Sequence, residues 1–254
     1  MFITILLFAQ LALSLAVGFL PSEPLRHAAM LGVMGLPLLL LSRAPKGTPQ
    51  MRLLPSRRAL PLLLLLPAFI LTVAAISIGW GALADVLGIT LRGAEPIKPL
   101  PLAILLDAAV PAIGEELFAR GAIFSVLRPH GRRTAVIGSA ILFALMHASP
   151  LQLPYAFFAG LLLGMLYEIS GGLILPMLFH FCSNLFSLLL LFGATPLPLF
   201  IALSVAAVIG VLVLLLWPRP SFPKDTEKEV GSVRELLLSP LLLWIAVIVL
   251  FMLL

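Results

Sequence analysis

Charge is scarce in this chain: 11% of its 254 residues are Asp, Glu, Lys or Arg, while 61% are hydrophobic. A soluble domain needs roughly a quarter of its residues charged, so that class is excluded. Cysteine is nearly missing too. The single Cys182 leaves no partner for an intramolecular disulfide and no Cys cluster for a structural zinc. Long polar stretches are confined to residues 218–235, which carry eight charges and read as a solvated loop. No internal repeat is visible, although a transporter built from inverted halves is expected to show one.

What the chain has instead is long apolar runs. They lie at about 1–20, 27–42, 59–80, 101–127, 134–149, 155–169, 173–194, 198–217 and 236–254, separated by Pro, Gly or charge. These predict an all-α fold, a polytopic transmembrane bundle of about eight to nine helices forming one domain over residues 1–254. The first run has no Lys or Arg before it and no small-residue cleavage site, so it reads as a retained helix rather than a signal peptide. The last run keeps only 14 residues beyond Pro240 and makes a thin crossing.

The net charge of +5 does not point to nucleic acid, because membrane proteins collect cations in their cytoplasmic loops. With the N-terminus cytoplasmic, 12 of the 16 Lys and Arg fall in the inner loops, at 43–58, 128–133 and 219–234. Only Arg26, Arg92 and Lys98 fall outside, and Arg120 sits within a span. The expected location is therefore the cell membrane, crossed many times.

Ionisable residues inside a span cost at least about 2.5 kcal/mol each, so each needs a partner or a purpose. This chain concentrates them within 101–194. The fourth span reads Gly114-Glu115-Glu116-Leu117-Phe118-Ala119-Arg120, the fifth holds Phe143 and His147, and the seventh holds His180 and Asn184. Glu116 and Arg120 are four residues apart, on one helical face and in the favourable order for an ion pair. Glu115 lies about 100° further round the helix, is left to face another surface, and becomes the candidate general base. His180 and Asn184 also share a face, and Phe143 lies one turn before His147, where it can pack on the ring. Depths counted at about 1.5 Å per residue place Glu115, His147, His180 and Asn184 between roughly 10 and 20 Å into the membrane. A base to activate water and donors to hold an oxyanion are what peptide hydrolysis demands. One such His is commonly a packing residue, but six polar groups at comparable depth on three helices are not explained that way. Asp107, Tyr167 and Glu168 read as interfacial residues at span ends.

In order, spacing and membrane placement, Glu115-Glu116-x-x-x-Arg120, Phe143-x-x-x-His147 and His180-x-x-x-Asn184 resemble the three motifs of the CAAX protease and bacteriocin-processing family, also called the Abi family. The resemblance covers about 70 residues and implies an intramembrane endopeptidase related to the one that trims prenylated CAAX proteins. It implies that Glu115 and His147 activate the water, that His180 and Asn184 stabilise the oxyanion, and that Glu116 with Arg120 supports the site. The implied partner is a membrane-anchored protein or peptide substrate. One Glu and two His also match a zinc set, but His-Glu-x-x-His is absent, and the expectation is no obligatory metal, with a divalent ion such as zinc as the alternative. Gly138-Ser139-Ala140 is a poor nucleophile motif, and Ser139 suits close helix approach better. Two other functions fit the same residues: a proton-coupled transporter using Glu, His and Arg as a relay, and a non-enzymatic immunity or scaffold protein that keeps them as a polar clasp.

Overall fold

A computed structural model describes residues 57–89, 99–147, 149–193 and 197–216. The first, second and ninth predicted spans and the charged 218–235 loop lie outside the described residues, as do most of the cations that orient the chain.

Proline and glycine set the helix boundaries. Pro61 lies in a tight 3-10 segment, Arg57–Leu65, and Pro67 opens the first long helix, α1 (Leu66–Val86), where a missing N–H costs nothing. A second rod, α2 (residues 100–127), runs to a proline-containing turn that ends at Gly131. Gly131 has φ 102°, a conformation open to glycine, and it reverses the chain into α3 (Arg132–Met146). Pro154 lies in the first turn of α4 (Leu153–Ser170), which Gly171 ends in the left-handed region at φ 69°. Two more helices follow, α5 (Ile174–Leu191) and α6 (Leu197–Leu216).

All regular structure among the described residues is helical. Each of the six helices falls on a predicted run between 59 and 217. Four segments are long and apolar enough to cross a membrane: Ala59–Val86, Leu153–Ser170, Ile174–Leu191 and Leu197–Leu216. By contrast, α3 is 15 residues long, and α2 carries Asp107, Glu115, Glu116 and Arg120.

The second rod is not a plain α-helix. It widens to π geometry over Ile104–Ala109, just before Pro111, and again over Leu117–Phe124, around Arg120. Pro111 has no N–H to return to the carbonyl one turn back, and a locally wider turn re-satisfies the backbone, as the Val110 N–H does on the Leu105 carbonyl. In the second wide turn the Ser125 hydroxyl reaches the Arg120 carbonyl at 3.5 Å. Such turns recur at functional sites because they re-aim side chains.

The bundle is organised around α4, which packs against α1, α3 and α5, while α2 lies against α5 along its first half and α3 along its second. Contact between α3 and α4 is closest where residues are small. A Cβ placed on Gly160 would lie 3.0 Å from the Ala140 Cα and 3.3 Å from the Phe143 ring. Gly164 likewise faces Ser139 and Val136 at 3.6–3.7 Å, so buried Ser139 serves helix approach. At the far edge α6 packs on α1 and the 3-10 segment and leaves most of its side chains facing outward.

This packing generates a test. Gly160→Val should lower stability by about 1–3 kcal/mol through overpacking, read as a lowered unfolding temperature in detergent. Gly79→Ala, where an added Cβ meets nothing within 4 Å, should leave it unchanged or raise it by up to about 1 kcal/mol, the ordinary gain of Ala over Gly inside a helix. Equal effects at the two positions would refute the close-approach account.

Candidate active site

The candidate site lies where α2, α3 and α5 meet, and its foundation is an ion pair. Arg120 Nη1 donates to Glu116 Oε1 at 2.8 Å, and both side chains are wholly shielded from solvent. The second guanidinium nitrogen, Nη2, donates to the backbone carbonyl of Gly160 at 2.8 Å. The flat face of the group sits 4.8 Å from the centre of the Phe143 ring. Arg suits this place because one planar fork serves a carboxylate, a carbonyl and an aromatic face together.

Phe143 is the common wall. Its ring meets His147 edge to face at 5.0 Å between centroids and His180 at 5.6 Å. His147 caps the end of α3, and its Nδ1 donates to the Phe143 carbonyl, one turn back, at 2.8 Å. In α-helices the last carbonyls have no internal partner, and a terminal His satisfies one of them. The bond also fixes the tautomer: with Nδ1 carrying the hydrogen, the neutral ring presents a bare Nε2.

That Nε2 faces Glu115. The Glu115 Oε2 atom is 3.6 Å from His147 Nε2 and 3.8 Å from His180 Nε2, and it is buried without a hydrogen-bond partner. His180 is held from behind, its Nδ1 donating to Glu116 Oε1 at 3.0 Å. Thus Glu115 and Glu116, adjacent in sequence, divide the work. Glu116 points into the packed interior against Arg120 and His180, and Glu115 points at the two free imidazole nitrogens. Asn184 lies one turn beyond His180 on the same helix, half-buried, and its amide has no hydrogen bond among the described residues.

Five of the six residues singled out from sequence therefore converge: Glu115, Glu116, Arg120, His147 and His180. Sequence reasoning missed the Gly160 carbonyl, which carries no side-chain mark, and the contact of Phe143 with three polar groups rather than one. It also missed the partner of Glu168, a nearly buried carboxylate that takes a forked bond from Arg128, with Nη2 at 2.8 Å and Nε at 3.0 Å, tying the end of α2 to α4. Tyr167 beside it stacks edge-on with Phe124 at 5.1 Å. Asp107 is exposed on α2.

Residues 97–186 match the Rce1-like family model, described as type II CAAX prenyl endopeptidase. The matched segment contains all six site residues, and it supports the resemblance read from the motifs. No curated protein and no solved structure matches the chain. The segment that carries the site is thus similar to a family of prenyl endopeptidases.

The side chains that come nearest to a set for a metal ion are Glu115, His147 and His180. Among the described residues no group of three or more His, Cys, Asp or Glu side chains is arranged to hold one. Two donors about 2.1 Å from a tetrahedral zinc stand about 3.4 Å apart, close to the 3.6 and 3.8 Å that separate Glu115 from the two histidines.

The burial of Arg120 gives a second test. Arg120→Met leaves Glu116 buried without its cation and should destabilise the protein by about 3–5 kcal/mol. Adding Glu116→Gln should recover part of that loss in detergent unfolding. If the double variant is as unstable as the sum of the two single variants, the pair is not what holds these helices.

Proposed function

We propose that this protein is an intramembrane endopeptidase that hydrolyses a peptide bond in a membrane-tethered substrate. The observation that carries the reading is the convergence of Glu115 Oε2 with the Nε2 atoms of His147 and His180. The separations are too long for direct hydrogen bonds and suit one oxygen bonded to all three. A water in that position loses a proton to Glu115 while His147 Nε2 orients it, and the oxygen attacks the scissile carbonyl. His180 and Asn184, on one face of α5, act as donors to the oxyanion that develops. Arg120 and Glu116 keep His180 and the floor of the site in place.

The substrate class follows from the surroundings. The helix carrying Glu115 turns Leu102, Leu105 and Ile113 outward, and Ile113, two residues before Glu115, is 52% exposed. In a chain with four membrane-length apolar segments these side chains meet lipid. A peptide held at the bilayer by a lipid or a hydrophobic C-terminus reaches such a helix sideways. The likeness of residues 97–186 to a CAAX prenyl endopeptidase family supports a prenylated peptide as the first substrate to try. The setting is the cell membrane, with the chain crossing several times. A transporter would need polar groups leading to both faces, whereas those described gather in one zone.

The test uses a prenylated peptide that ends three residues beyond its modified cysteine. Glu115→Gln should cut release of the tripeptide at least about a hundredfold, with the variant still monodisperse in detergent. Full activity would refute the assignment and favour the scaffold reading. The same reaction should persist after prolonged dialysis against a strong chelator. Loss of activity that added zinc restores would overturn the metal-free mechanism.

A further inference from the structure

His180 is held in a way that decides which of its nitrogens faces Glu115, and a role follows from it if the endopeptidase reading is right. Glu116 Oε1 accepts two bonds at once, from Arg120 Nη1 at 2.8 Å and from His180 Nδ1 at 3.0 Å. Arg120 has no proton to give up, so the oxygen between them is a carboxylate oxygen and the hydrogen lies on Nδ1. The other ring nitrogen, Nε2, is the one that faces Glu115. In a neutral ring that nitrogen is bare and has nothing to donate to an oxyanion. Only the imidazolium has an N–H there.

Charge balance favours that form. The titratable groups that face the site are Glu115, Glu116 and Arg120 from α2, His147 from α3, Tyr155 from α4 and His180 itself. Two carboxylates against one guanidinium leave the cluster negative, and one proton on His180 makes it neutral. Uncompensated charge in an apolar interior is costly, so the proton has a place there. His147 is less suited to it, since its Nδ1 partner is a neutral carbonyl.

We propose that His180 acts as an imidazolium held by Glu116 and Arg120, and that it passes its Nε2 proton to the leaving amine. Water attack puts one water proton on Glu115, and the carbonyl π pair moves to oxygen. When the carbonyl re-forms, the carbon–nitrogen bond breaks, its electron pair stays on nitrogen, and nitrogen takes the His180 proton. The products are a carboxylic acid and an amine. The proton on Glu115 then moves to His180 Nε2, 3.8 Å away, and both groups regain their starting forms. Glu116 and Arg120 are positioning residues in this scheme, because they touch His180 and not the substrate.

The experiment compares two substrates: the prenylated peptide with its amide at the cleaved bond, and the same molecule with an ester there. An amine leaves poorly without a proton, whereas an alkoxide needs far less help. His180→Gln keeps a neutral N–H donor but no transferable proton. It should lose about a hundredfold or more on the amide beyond its loss on the ester. Glu116→Gln keeps an acceptor for Nδ1 but not its charge, and should show the same amide-selective loss. Equal losses on amide and ester in both variants would return His180 to oxyanion donation alone and overturn the proposal. The underlying reading fails differently: the wild type would cleave neither substrate, or Glu115→Gln would cleave both.

Discussion

The structure depends on a guanidinium placed where no water can reach it. Arg120 is fully buried, and its charge is met by Glu116, by the Gly160 carbonyl and by the face of Phe143. An isolated charge there would cost several kcal/mol, and no single partner repays that. Three different kinds of partner, from α2, α4 and α3, do so together. The need to bring them within reach dictates much of the packing around them. Gly160 is small because a larger residue would push its carbonyl away from Arg120, and Ala140 opposite it is small for the same reason.

From this arrangement the geometry of the site follows outward. Arg120 fixes Glu116, Glu116 fixes one nitrogen of His180, and Phe143 contacts the guanidinium and both imidazoles. What remains free on each histidine is its Nε2, and both point toward the same oxygen of Glu115. Few of these groups sit on loops. The rigid helices hold them, while the two wide turns of α2 adjust the direction in which adjacent glutamates face. Two glutamates adjacent in sequence thus face different partners, Glu116 toward Arg120 and His180 and Glu115 toward the two Nε2 atoms.

What the amino-acid string made legible was local. Glu116 with Arg120 and Phe143 with His147 are each four residues apart, and helical periodicity alone pairs them. The six helices between residues 57 and 216 stood out because lipid requires long apolar runs. Contacts across 40 or 64 residues were not legible: Arg120 to Gly160, Arg128 to Glu168 and His180 to Glu116. A backbone carbonyl leaves no trace in residue type, and an acid near a span end looks the same whether it faces water or a hidden cation. The wide turns of α2 left only Pro111 as a hint.

The position of Glu116 four residues before Arg120 also bears on how the chain enters the bilayer. Both charges lie on one helix, so they meet as soon as that helix coils, before α4 and its glycine have been synthesised. The nascent segment can then leave the translocon as a neutralised dipole rather than as a bare cation. Docking of the later helices replaces a provisional partner set with the final one, and membrane entry and the packed site draw on the same two side chains.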